Sequence, residues 1–224
     1  MRALFPISLN NQLFSTENVI EAYKAISLKY SSITFLIADQ LQLYNKALRI
    51  SNEYTLSDVL QDFRKKTNYF EERKIWLERL KTKINDDIPI NWDIISVDDI
   101  VNDHTTFTIY RNILIAFYTD SEFANDIKHI ANNYALNKNI NYDFDKAQNL
   151  SIGYLLEEIA LSVKLKAINQ IYDEFYIGNY AFPILKLFNE EYSFNVFDIS
   201  GVGKPKNFNG FKFYIFDIEK NRWT

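Results

Sequence analysis

The chain contains no cysteine. A disulfide framework is therefore excluded, as are a thiolate nucleophile and a thiolate zinc site. Histidine is nearly absent too. Only His104 and His129 occur, so a mechanism with an imidazole base must use one of them. Neither sits in a recognisable catalytic motif, and both read as surface or half-buried helix residues. Five glycines and four prolines among 224 residues leave little material for a flexible linker or a disordered tract. No apolar run approaches the roughly 18 residues that a membrane span needs. The apolar stretch near the N-terminus is too short for a signal-peptide core, and a cytoplasmic location is expected. The phosphate-gripping loop G-x-x-x-x-G-K is missing, so no ATP is expected. Nothing calls for a metal or another cofactor.

What is present suits a single globular domain spanning residues 1–224. Hydrophobic residues make up 47% and aromatic residues 16% of the chain, enough for a sizeable core. The net charge of −4 is unevenly spread. Between residues 62 and 83 stand eight basic residues against four acidic ones, a local charge of +4 that leaves −8 on the rest. A basic helix on an acidic body is an electrostatic footprint.

The order of elements follows from hydrophobic patterning. Ala3 to Ile7 form a short apolar run, and Ser15 can cap a helix with Val19, Ile20, Tyr23 and Ile26 on one face. The near-continuous apolar run from Ser32 to Ala38 suits a parallel strand covered on both faces. Strand, helix, strand makes one βαβ unit. A helix is expected over 39–50, and a single long basic helix over 56–84 with Val59, Phe63, Phe70, Leu77, Leu80 and Ile84 as its apolar stripe. Residues 92–97 read as a strand or a connection. Helices are expected over 103–118, 121–136, 148–166 and 182–189, and strands over 173–176 and 208–216. The fold class is α/β, Rossmann-like, with a mostly parallel central sheet flanked by helices. In such folds ligands bind at the carboxyl ends of strands. Ser8, Asp39 and Tyr176 each stand at such an end and would converge on one crevice.

Three short runs carry chemistry. Pro6-Ile7-Ser8-Leu9-Asn10-Asn11 brings a serine out of a strand. Gly153-Tyr154-Leu155-Leu156-Glu157-Glu158 puts a phenol and a carboxylate, Tyr154 and Glu158, on one helical face. Glu174-Phe175-Tyr176 ends a strand in a tyrosine. Each alone is weak, since serines after strands mostly turn or cap.

Together, and in this order from residue 3 to about 190, they resemble the tRNA-dependent cyclodipeptide synthases. That family has a strand delivering G-x-S-x-x-N, a Y-x-x-x-E helix and a later strand ending in tyrosine. Its fold resembles the catalytic domain of class I aminoacyl-tRNA synthetases. The resemblance implies that two aminoacyl-tRNAs are the substrates and a diketopiperazine the product. Ser8 would carry the aminoacyl group, and a second aminoacyl unit would extend it to a dipeptidyl-enzyme that closes on itself. Tyr154 and Glu158 would hold the amino group, with Glu158 moving its proton, and Tyr176 would orient the serine. Asn11 would help to hold the substrate. Asn137-Lys138 resembles a pocket-lining pair, and Leu4, Pro6, Leu36, Ala38 and Leu161 would wall the first aminoacyl pocket. That wall favours an apolar side chain, whereas Glu174, on the same strand face as Tyr176, could favour a basic one. Arg64, Lys65, Lys66, Arg73, Lys74 and Arg79 would meet tRNA phosphates. A monomer is expected, without a membrane partner.

Two positions depart from the family pattern. Pro6 stands where glycine is usual, adding bulk and removing a backbone donor, and Ile177 follows the late tyrosine. The first departure keeps open a non-catalytic aminoacyl-tRNA-binding protein of the same fold. A serine hydrolase would need a histidine base and, ideally, G-x-S-x-G, which is absent. A purely structural protein is the third alternative.

Overall fold

The structure, a computed structural model, describes residues 2–7, 14–38, 44, 47, 55–65, 67–84, 91–101, 103–137, 144–167, 173–176, 182–203, 213–217 and 222–223. At its centre lie five parallel strands, β1 (Arg2–Ile7), β2 (Ser32–Ile37), β3 (Asn91–Ser96), β4 (Asp173–Tyr176) and β5 (Phe213–Asp217). A two-residue strand, β6 (Arg222–Trp223), pairs antiparallel with β5 and was not foreseen. Two residues are too few to show a period. The spatial order is β3-β2-β1-β4-β5-β6, the doubly wound order of a Rossmann sheet.

Alternation along the strands feeds two separate cores. Ala3, Phe5 and Ile7 of β1, with Ile33, Phe35 and Ile37 of β2, face one side. There they meet Val19, Ala22, Tyr23 and Ile26 of helix α1 (Thr16–Ser27). Ser15 caps α1 as expected, accepting from the Asn18 N–H at 3.3 Å. An aromatic row crosses this face: Trp92 on Phe35 (4.7 Å between centroids), Phe35 on Phe5 (5.6 Å) and Phe175 stacked on Tyr214 (4.7 Å). Leu4, Leu36 and Ala38 face the opposite side.

Where one long basic helix is expected, the structure describes two, α2 (Leu56–Lys65) and α3 (Thr67–Ile84), with residue 66 outside the described set. Val59, Leu77 and Leu80 are buried, and Leu77 and Leu80 hold α3 in the α1 core. The side chains of Phe63 and Phe70 lie outside the described residues, as does most of the helix expected over 39–50.

Among the described residues, the other side carries α4 (Asp98–Val101), α5 (His104–Thr119), α6 (Ser121–Asn137), α7 (Phe144–Ala167), α8 (Phe182–Phe188) and α9 (Val196–Ser200), together with Tyr44. α7 starts a turn before the expected Gln148. α9 was missed because five residues hold little more than one helical turn. It forms because the Asn195 side chain accepts from the Phe197 and Asp198 N–H groups, and Gly201 closes it at φ 75°, the left-handed geometry that glycine adopts freely. Asp120 joins α5 to α6, accepting from the Phe123 N–H at 2.8 Å and from the Ser193 hydroxyl.

α7 is the keystone of the molecule. Leu155, Leu156, Ile159, Ala160 and Val163 pack among α5, α6, α8 and α9. Leu161 and Leu165 pack on Leu4, Leu36 and Ala38 of the sheet side. A helix sandwiched in this way must be apolar on most of its circumference, so each polar residue on it needs a reason.

Candidate functional site

The chain winds outward from β1 through β2 to β3, then returns to place β4 and β5 on the other side of β1. The switch point lies between β1 and β4, and in doubly wound sheets ligands bind at the carboxyl ends of the strands beside it. α7 lies over it, antiparallel to the strands. Its C-terminal Lys166 reaches Glu174, early in β4, while its Tyr154 meets Tyr44, which follows the end of β2.

A ladder of distances fixes the level of Glu158. Glu174 is in register with Leu4. From Lys166 back to Glu158 the helix climbs about 12 Å at 1.5 Å per residue. From Leu4 to Ile7, the end of β1, the strand climbs about 10 Å at 3.3 Å per residue. Glu158 therefore lies toward the carboxyl end of β1. It is densely surrounded by protein but keeps part of its side chain accessible. Burial, and secondarily the charge of Glu174, pushes its carboxyl up to about 8.

Glu174 itself is paired. Its carboxylate lies 2.9 Å from Lys166 Nζ, and the two side chains are only 4% and 2% exposed. The Lys166 ammonium also sits 3.9 Å from the centre of the Phe188 ring. Burial drops the Lys166 ammonium to about 8 against the opposing pull of Glu174 and Asp173. Strand alternation does turn Glu174 toward α7, but a buried cation already occupies it.

Tyr154 is half-buried and touches both the sheet-side and the bundle-side cores. Leu4, Leu36, Ala38 and Leu161 meet in one apolar cluster between sheet and helix, and Pro6 is buried in β1. The Ile7 carbonyl accepts from the Ala38 N–H of the β2 side. By alternation the backbone of Pro6 turns toward β4. Its missing donor thus falls on the switch-point side, two residues past the Leu4–Glu174 pair, which is how a proline is accommodated in a central strand.

Ser8, Asn11, Asp39, Lys66 and Lys138 lie outside the described residues, as do the side chains of Arg64, Lys65, Asn137 and Tyr176. Asn137 is the last residue of α6 and Tyr176 the last of β4. Arg73 and Lys74 are half-buried and Arg79 exposed on α3. The Arg73 guanidinium stacks over Trp76 at 5.2 Å. This helix covers the face of the sheet opposite to α7. His104 and His129 are exposed on α5 and α6, and His129 Nε2 lies 3.1 Å from the Asn133 side-chain nitrogen.

Three residues of this region went unnoticed as site residues. Lys166 carries no sequence signal, because its partner lies across an intervening connection. Tyr44 and Glu157 share a hydrogen bond, with Tyr110 nearby, and burial raises the pKa of all three groups. The available hint was Gly153, an isolated glycine inside a helix.

The class defined by this sheet order is a doubly wound α/β protein, with α7 and its Glu158 on the side of the sheet that carries Leu4 and Leu36. No protein-family model matches the sequence, and no curated protein matches it either. The fold does match solved structures. A cyclodipeptide synthase (CDPS) from Fluoribacter dumoffii is 20% identical with a TM-score of 0.68, over 85% of this chain and 83% of that one. AlbC, a cyclodipeptide synthase from Streptomyces noursei, is 14% identical with a TM-score of 0.65, over 98% and 97% of the two chains. The cyclodipeptide synthase from Candidatus Glomeribacter gigasporarum, solved bound to Phe-tRNAPhe, is 14% identical with a TM-score of 0.59, over 85% and 82%. The chain has the fold of the cyclodipeptide synthases.

Proposed function

We propose that this chain is an aminoacyl-tRNA-dependent cyclodipeptide synthase with Ser8 as its acyl acceptor. The observation that carries the proposal is Glu158. Its carboxyl is pushed up to about 8, and it lies on the helix turn toward the end of the strand that leads into Ser8. The surrounding fold corresponds to that of a cyclodipeptide synthase along 98% of the chain. A similar structure bound to Phe-tRNAPhe supports the substrate class, and so does the basic segment between residues 62 and 83.

The chemistry follows from these groups. The Ser8 hydroxyl attacks the ester carbonyl of the first aminoacyl-tRNA, and the tRNA 3′-terminal hydroxyl leaves with the proton. One ester replaces another, so no ATP is consumed. The amino group of the bound aminoacyl unit arrives as an ammonium and must lose a proton before it can attack. Glu158 accepts that proton, its raised pKa being close to that of the amine it serves. Tyr154, one turn away on the same helical face, accepts a hydrogen bond from the same amine. The amine attacks the ester of a second aminoacyl-tRNA, releasing that tRNA and leaving a dipeptidyl ester on Ser8. The new terminal amine then attacks the Ser8 ester, closing the diketopiperazine and restoring the hydroxyl, with Tyr176 the proposed proton carrier. The apolar wall of Leu4, Leu36, Ala38 and Leu161 favours an uncharged side chain, and Lys166 on Glu174 works against a basic one.

Expression in a bacterium, followed by mass spectrometry of the medium, tests the proposal directly. Diketopiperazines are expected with the wild-type chain and not with Ser8→Ala. A second reading, aminoacyl-tRNA binding without catalysis, has Pro6 in its favour because that position offers no backbone donor. Radiolabelled aminoacyl-tRNA separates the two: covalent label on the wild type and none on Ser8→Ala is the result of an enzyme, whereas tight binding without label is the result of a binder.

A further inference from the structure

Gly153 lies on α7 immediately before Tyr154. A methyl group built on it would stand 2.8 Å from Tyr44 Cε1, well inside van der Waals contact. The Tyr44 ring thus occupies the notch left by the absent side chain. From that seat it meets the Tyr154 ring edge-on, with centroids 6.2 Å apart and planes at 82°. Its hydroxyl donates to Glu157, one turn along α7 from Gly153. The same ring packs on the cluster of Leu4, Leu36, Ala38 and Leu161. Tyr44 therefore touches α7 at Gly153, Tyr154 and Glu157 and packs on the buried sheet-side core as well. Glycine in a helix interior is unfavourable by about 1 kcal/mol relative to alanine, so its presence here needs a cause, and the Tyr44 ring supplies one.

We infer that Tyr44 is a positioning residue for the aminoacyl site: seated on Gly153 and tethered to Glu157, it fixes the orientation of the Tyr154 phenol. This role rests on the cyclodipeptide synthase reading for its catalytic consequence, but the seat itself does not. A side chain that must hold an amine within hydrogen-bond reach needs its rotamer locked by neighbours. Tyr154 is only half-buried, and the edge-to-face ring is a neighbour that can lock it. Glu157, although adjacent to Glu158 in sequence, serves the tether and points to Tyr44 and Tyr110.

A double-mutant cycle on the full chain tests this. Helix propensity predicts that Gly153→Ala raises Tm by about 2–4 °C. The seat predicts that this gain is lost, or reversed, while Tyr44 is present, and recovered in Tyr44→Ala, where the added methyl has room. Turnover should fall on the order of ten- to a hundredfold in Gly153→Ala, with KM moved much less. Tyr44→Phe keeps the ring and should retain most turnover relative to Tyr44→Ala, and Glu157→Gln keeps an acceptor for the phenol and should behave likewise. A Tm gain from Gly153→Ala in both backgrounds would overturn the seat. Unchanged turnover in Tyr44→Ala would overturn the positioning role. If the wild type makes no cyclic dipeptide, the function proposed above fails, and the Tm cycle still decides whether Tyr44 occupies the notch.

Discussion

Glu158 is costly where it sits. Its carboxyl is held near 8, against 4.5 in an unfolded chain, chiefly by burial. Between those two values the folded state binds more proton than the unfolded one, so stability falls as pH rises through this window. Glu158→Gln imitates the protonated form at every pH. Its Tm should match the wild type near pH 4 and exceed it increasingly up to about pH 8, as followed by thermal melts across that range. The same substitution removes the proposed base and should lower the rate of diketopiperazine formation by about 10²–10⁴-fold. The wild-type rate should rise with pH around 8 as the carboxyl ionises. Gaining stability while losing activity would mark Glu158 as a functional residue. The buried Lys166–Glu174 pair predicts the opposite pattern. Lys166→Met strands a carboxylate and should cost about 3–5 kcal/mol in chemical denaturation, and adding Glu174→Leu should restore most of it.

At the scale of elements, two helices carry separate tasks on opposite faces of the sheet. α7 carries Tyr154 and Glu158 on one face of the sheet, and α3 lies on the other face with Arg79 exposed. If the basic segment meets tRNA phosphates, replacing Lys65 and Lys66 by alanine should raise the aminoacyl-tRNA concentration needed for half-maximal rate. It should also flatten the logarithmic salt dependence by about 0.7–0.9 for each phosphate no longer neutralised, with turnover at saturation unchanged. Rates measured between low and moderate salt check this. The boundaries of most elements were legible beforehand because their signals are local. Ser15, ahead of an apolar face at Val19, Tyr23 and Ile26, announces α1. The unbroken apolar run of β2 announces a strand covered on both sides. α9 and β6 were not legible, since each is shorter than the period that would reveal it.

For the whole molecule, the decisive feature is that α7 belongs to two cores. Its Leu156 is fully buried among the helices and its Leu161 almost fully against the sheet side. Neither core can dissolve without releasing the helix they share. Leu156→Ala should therefore cost about 2–5 kcal/mol and lower the stability of both parts together. Far-ultraviolet and near-ultraviolet circular dichroism should follow one coincident unfolding transition in both proteins. Two separate transitions would show that sheet and bundle are independent units.

The sequence by itself determined the α/β class, the order and approximate limits of β1, β2, β4 and most helices, and the shared face of Tyr154 and Glu158. These depend on residues a few positions apart, where helix and strand periods act. Tertiary structure alone decided the pairing of Lys166 with Glu174, the seat of Tyr44 on Gly153, the turning of the Pro6 backbone toward β4, and the raised pKa of Glu158. Each of these depends on what the fold brings alongside a residue. Burial, charge proximity and shape complementarity act through space, between groups that local periodicity does not connect.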